Sequence, residues 1–174
     1  MTERARVLKI GGALLAILVA GLVVGFLTLD RKGGSSPLAS PPTGGSPSPR
    51  DVRAQVEQAY LRAWDVWADS LLRLDQSKLP EVLTGHALEV ITKQVDQQAS
   101  KDQPVRIRAE HNYTISLIDP TTASIDDRYI NHNVRLDPTT LEPIEKDPNH
   151  RERTTFTMKL VDGTWKIPEI IEYK

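Results

Sequence analysis

The sequence predicts an α+β fold carried behind a single N-terminal transmembrane helix. Three observations predict the folded part. Apolar residues recur with a period near 3.6 after residue 50, the period changes to two at Pro104, and Asp162-Gly163 separates two alternating runs as a hairpin turn. Helices that precede an antiparallel sheet, rather than alternating with its strands, pack together on one face of it. The expectation is three helices on a bent antiparallel sheet of about four strands.

The chain has 174 residues with 22 Lys+Arg against 23 Asp+Glu, and the net charge of -1 hides a split. Residues 1–50 carry 6 basic and 2 acidic groups, while residues 51–174 carry 16 and 21. Bulk charge excludes a basic nucleic-acid binder. With no cysteine there is no disulfide scaffold, thiol nucleophile or Cys-ligated zinc.

Residues 1–9 read as a cytoplasmic tail and residues 10–29 as the transmembrane helix. Fifteen of those twenty residues are hydrophobic and none is charged, and at 1.5 Å per residue the run is ~30 Å long, the thickness of bilayer hydrocarbon. A cleaved signal peptide is the competing reading. It would have an apolar core of roughly 7 to 15 residues and a small-x-small cleavage site, whereas this run ends Leu27-Thr28-Leu29-Asp30-Arg31-Lys32. Arg4, Arg6 and Lys9 precede the span and Arg31 and Lys32 follow it, a one-charge bias toward a cytoplasmic N-terminus. Gly21 and Gly25 form a GxxxG pair that would let two such helices approach closely, so self-association as a homodimer is one expectation. Residues 30–49 are a linker, and the stretch 33–50, in which Gly, Ser and Pro predominate, has a reach between roughly 23 Å as a coil and roughly 56 Å as a polyproline rod. Residues 50–174 then form the extracytoplasmic domain of a single-pass cell-membrane protein.

Ser48-Pro49-Arg50-Asp51 is a capping box with Pro at the first helical position. Val52, Val56, Ala59, Tyr60, Ala63, Trp64, Trp67, Leu71 and Leu74 mark one face of the helix that follows. Ser77 caps a short helix around Pro80 to Leu83, Gly85 breaks it, and Leu88, Ile91, Val95 and Ala99 mark a third helix. From Val105 to Leu117 apolar and polar residues alternate as one long strand. A second strand follows the turn at Asp119-Pro120, and its apolar phase moves from Ala123, Ile125, Asp127 and Tyr129 to Ile130, Val134 and Leu136, which predicts a bulge near Tyr129. The stretch Asp137 to His150, with three Xaa-Pro pairs, is a loop. Thr154, Phe156, Met158 and Leu160 give the inward face of the next strand, and Pro168 makes the last strand an edge or a bulged one.

The order of helices, the stretch AYLRAWDVWADSLLRLDQSKLPEVLTGHAL and the closing DGTWKI hairpin resemble the nuclear transport factor 2-like (NTF2-like) superfamily, also described as cystatin-like. The likeness is to its membrane-anchored bacterial type and to the intermembrane-space domain at the C-terminus of chloroplast division proteins. It covers about residues 52 to 172. The resemblance implies a cone between sheet and long helix and a non-catalytic module that binds another envelope protein, with no cofactor. The superfamily also holds isomerases, dehydratases and ligand carriers, so a small-molecule enzyme or apolar-ligand carrier is the alternative.

His111, Tyr113, Asp127 and Tyr129 share the inward face of the first hairpin, and Tyr60, Trp64 and Trp165 point toward the same cone. These seven are the candidate pocket-lining residues. A His beside an Asp, with phenols nearby, fits general acid/base work, and it equally fits a hydrogen-bonded core cluster. No second carboxylate, phosphate loop or nucleophile elbow joins them, so no residue is assigned as catalytic. Glu142, Glu145 and Asp147 lack calcium-loop spacing, and His86, His132 and His150 lack i,i+4 partners, so no metal is expected. Arg106, Arg108 and Arg128 form either a small anion patch or an ordinary solvated sheet face.

Overall fold

The computed structural model describes residues 47–173. The expected transmembrane segment 10–29, with Gly21 and Gly25, lies outside the described residues, as does all but the end of the linker. Among the described residues no helix is long and apolar enough to cross a membrane.

Helix α1 spans Pro49–Arg73 and starts where the capping box places it. The Ser48 hydroxyl accepts the Asp51 N–H at 3.3 Å while Asp51 Oδ2 accepts the Ser48 N–H at 3.2 Å, so two otherwise orphan donors are satisfied. Its stripe is buried from Val52 to Leu71. Leu74 does not prolong the stripe. It adopts φ 57° and closes the helix with its N–H on the Ser70 carbonyl. Helix α2 (Leu79–Val82) has Lys78, not Ser77, at its N-cap. Ser77 is diverted because its backbone N–H and hydroxyl both bond Asp75, at 2.9 and 3.0 Å. Helix α3 spans Gly85–Ala99 and buries Ala87, Ile91 and Val95, with Ala99 exposed. Gly85 opens α3 at φ +53°, where a Cβ would sit 3.4 Å from the Pro168 carbonyl oxygen.

The sheet is antiparallel. Strands β2 (Ala109–Glu110) and β3 (Tyr113–Asp119) both pair with β4 (Thr122–Asn131), β4 pairs with β6 (His150–Val161), and β6 with β7 (Thr164–Tyr173). A separate ribbon joins β1 (Val105–Arg106) to β5 (Val134–Arg135). The arrangement is three helices packed on an antiparallel sheet, the architecture expected.

Two expectations for the first two strands need correction. The long strand from Val105 to Leu117 is three short ones, although its register never changes: Val105 faces Arg135, Ala109 faces Asn131 and Tyr113 faces Asp127. At the interruptions the N–H groups of Leu136, His132 and Arg128 still reach the carbonyls of Pro104, Arg108 and Asn112. The Asn112 N–H, however, turns to Asp127 Oδ1 at 3.1 Å, so a side chain takes the place of a ladder bond. The expected bulge near Tyr129 is also absent. Strands β4 and β6 pair without a shift from Thr122–Lys159 to Asn131–His150, and Ala123, Ile125, Asp127, Tyr129 and Asn131 are all buried. The inward phase looked lost because Asn131 and Asn133 hold it with polar side chains.

The expectation for Pro168 holds. Thr157 pairs with Glu169 but Lys159 with Lys166, so β7 carries one extra residue around the proline. Asp162 and Gly163, at φ 50° and 76°, form the primed turn that suits a two-residue hairpin. Leu160, expected to face inward, is 37% exposed at the rim of the sheet, two residues before this turn.

Candidate functional site

Six of the seven candidate residues meet where α1 crosses the break between β2 and β3. Asp127 is fully buried in the middle of β4. Its Oδ2 accepts the Tyr60 hydroxyl at 2.8 Å and contacts His111 Nδ1 at 2.5 Å, and its Oδ1 accepts the Asn112 N–H. A carboxylate removed from water needs such donors, because each unpaired lone pair costs free energy. The break at residues 111–112 supplies two of them and the α1 stripe supplies the third. Burial, followed by the charge of Asp127, pushes the Tyr60 phenol far above its ordinary value, so it stays a protonated donor.

With Nδ1 turned to the carboxylate, the proton is assigned there and Nε2 is left as the free nitrogen. That Nε2 is sealed from solvent without a hydrogen-bond partner. The rings of Tyr60, Trp64, Tyr113 and Tyr129 surround the imidazole with centroids 5.1 to 6.5 Å away.

The other two phenols are anchored by acids that the sequence did not single out. Tyr113 is half-buried and donates to Glu57 Oε1 at 2.7 Å; burial and that bond push its pKa up to about 12. Tyr129 donates to Glu152 Oε2 at 2.7 Å and lies 3.3 Å from Thr154 Oγ1; burial raises its pKa well above the usual phenol value. Glu152 also accepts Asn131 Nδ2 at 2.5 Å and pairs with His150 Nε2 at 2.6 Å. The signal for Glu152 was the register, since it stands directly opposite Tyr129, and a sequence does not show how the intervening loop sets that register. Trp165 is buried elsewhere, beside a second cleft with Gln55, Arg62 and Glu81.

The cone is therefore filled. Tyr60, Trp64 and Phe156 pack edge to face at 5.2 to 6.2 Å, and Trp64 stacks on Trp67 at 4.8 Å. Open volume lies outside it, in a cleft of about 480 Å³ over the interrupted segment, bordered by Glu110, His111, Arg128, Tyr129, Arg151 and Glu152. Of the loop acids, Glu145 grips Arg135 at 2.6 and 2.8 Å, and Asp147 lies 2.8 Å from His132 Nδ1. Among the described residues no group of three or more His, Asp or Glu side chains is placed to hold a metal.

No family model matches the chain, and no curated protein matches it in sequence. Solved structures do. The intermembrane-space region of chloroplast protein ARC6 is similar with a TM-score of 0.53 at 19% identity, over 70% of this chain and 95% of that one. The chain has the NTF2-like fold. A putative scytalone dehydratase from Novosphingobium aromaticivorans is similar at a TM-score of 0.49 and 13% identity, over 72% of this chain and 89% of that one. An NTF2-like protein of unknown function from Shewanella oneidensis follows at 0.45 and 10%, over 68% and 98%. At these identities the likeness concerns the fold alone, and a fold does not name an activity.

Proposed function

We propose that this protein is a membrane-anchored, non-catalytic NTF2-like module whose extracytoplasmic domain binds another envelope protein. One observation carries the reading. The nitrogen that a His–Asp pair would offer to a substrate, His111 Nε2, is sealed inside an aromatic cage, and a general base must come within hydrogen-bond reach of the proton it takes. Each carboxylate oxygen of Asp127 is likewise committed, Oδ2 to the Tyr60 hydroxyl of α1 and Oδ1 to the Asn112 N–H. The likeness to the intermembrane-space region of a chloroplast protein supports a domain held beside a membrane.

Crosslinking in cells with the full chain, followed by identification of what copurifies, tests the reading. One envelope protein recovered in constant proportion is the expected result. The rival reading, a small-molecule enzyme or carrier, expects instead a ligand retained in native mass spectrometry of the full chain in detergent, displaced by His111→Ala. The anchor has its own test. A spanning helix keeps the chain with membranes through high salt and alkaline carbonate, because apolar burial holds it; a soluble fragment beginning near Ser40 would mean cleavage. Self-association through Gly21 and Gly25 predicts that Gly21→Ile or Gly25→Ile lowers the signal of a membrane association reporter.

A further inference from the structure

We infer that the 480 Å³ cleft beside β4 and β6 is the docking site for an acidic peptide segment of the partner, gripped by Arg128 and Arg151. The inference rests on the binding-module reading and names the surface and the partner chemistry within it.

The argument starts from cross-strand register. On the outward face Ile130 stands opposite Arg151, and Arg128 opposite Arg153, so Ile130 has Arg151 across the ladder and Arg128 two residues away on its own strand. Arg153 is spoken for: it bonds both oxygens of Asp126 at 2.9 Å and lies 4.8 Å over the Tyr173 ring. Asp126 is close enough to Arg128 for its acidity to be affected, but its oxygens are committed to Arg153. Arg128 and Arg151 are exposed, and their guanidinium groups form no ion pair or hydrogen bond among the described residues. They line the cleft together with Asn112, an exposed residue, and the half-buried Ile130.

Two free guanidinium groups near an apolar side chain suit a carboxylate with a short aliphatic residue beside it, since Arg grips carboxylates with paired donors. The setting sharpens the choice. The folded half of the chain is net acidic, with 21 acidic groups against 16 basic, so the patch runs against the charge of its own domain. A second copy docking face to face would oppose Arg128 and Arg151 with the same arginines, which costs free energy. Glu110 and Glu152 border the same cleft and disfavour a continuous polyanion such as nucleic acid. A peptide places its acids one at a time and can lead the chain past Glu110.

The test uses the full chain in neutral detergent micelles and a fluorescein-labelled twelve-residue peptide of alternating Glu and Val, read by anisotropy. Saturable binding is expected for this peptide and not for its Gln or Lys versions. Arg128→Gln with Arg151→Gln should weaken it at least tenfold and flatten its salt dependence, whereas Lys101→Gln with Lys159→Gln should change it less than twofold. Equal loss in both double variants, or no saturable binding, would overturn the cleft assignment. So would variant-sensitive binding to vesicles containing anionic lipid without binding to the peptide, which would move the surface to the membrane. A partner crosslinked in cells as well to the Arg variant as to the wild type sinks the cleft but leaves the binding-module reading standing; failure to find any partner sinks that reading instead.

Discussion

The core has two regions that are held together by different physics. Around α2, α3 and β7 the buried residues are mostly aliphatic, among them Leu71, Leu79, Val82, Leu83, Ile91, Val95 and Ile167. Along β4 and β6 the buried set includes Asp127, Asn131, Asn133 and Thr154 beside Tyr60 and Tyr129. The aliphatic region is specified by volume and tolerates any side chain of the right size. The polar region is specified by direction, because donors such as the Tyr60 hydroxyl and the Asn112 N–H must meet the Asp127 carboxylate at one angle.

The largest expected effect comes from removing the hub of the polar region. Asp127→Ala leaves the Tyr60 hydroxyl, the Asn112 N–H and His111 Nδ1 buried without their acceptor, and should cost about 3 to 5 kcal/mol. Thermal unfolding of the full chain, followed by tryptophan fluorescence, measures it. In the aliphatic region Leu71→Ala should cost about 2 to 4 kcal/mol as a cavity, whereas Leu71→Met should cost less than about 1.5 kcal/mol. Asp127→Glu, an equally small change in chemistry, should not be tolerated in that way. If both conservative swaps behave alike, the distinction between the two regions fails.

The same distinction explains what the sequence made legible. Periodicity reads apolar volume, so the α1 stripe, its Ser48-Pro49-Asp51 start and the bulge at Pro168 could be placed in advance. It reads inward polar residues as breaks. Asn131 and Asn133 keep the inward phase of β4 and its continuation, yet they suggested a bulge at Tyr129. The gap at His111–Asn112 was invisible for a related reason: the ladder opens there because a side chain across the ribbon, Asp127, takes the Asn112 N–H. His111, Asp127, Tyr60 and Tyr113 were recognisable by type and phase. Glu57 and Glu152, which anchor the outer phenols, were not, since each contact depends on a packing or register set over fifty-six and twenty-three residues of chain.

A smaller effect sharpens the comparison at the seam between α3 and β7. Gly85 needs φ +53°, and a Cβ there meets the Pro168 carbonyl oxygen at 3.4 Å. Gly85→Ala should therefore cost about 1 to 2 kcal/mol, the left-handed penalty for a residue with a side chain. Gly163, also at positive φ, has nothing within 4 Å of its Cβ position, so Gly163→Asn should cost only a few tenths of a kcal/mol. Equal losses at the two sites would mean that contact with Pro168 plays no part.

The smallest effect is a pH dependence confined to the loop between β5 and β6. Glu145 accepts the Arg135 side chain and, at 2.7 Å, its backbone N–H, while the Ile144 N–H returns to the Arg135 carbonyl at 3.0 Å. The Arg135 guanidinium holds the Glu145 carboxyl below the ordinary carboxylate range. A carboxylate with a depressed folded pKa contributes in full above its unfolded value, about 4.3, and its contribution disappears as pH falls through the lower folded value. Hydrogen exchange at the Arg135 and Ile144 amides, corrected for the intrinsic pH dependence of exchange, should show constant protection from pH 7 to pH 5 and loss only below about 4. Glu145→Gln should remove that acid step while leaving protection in the β4–β6 ladder unchanged. A step already between pH 7 and pH 5 would mean that the Arg135–Glu145 fork does not fasten the loop.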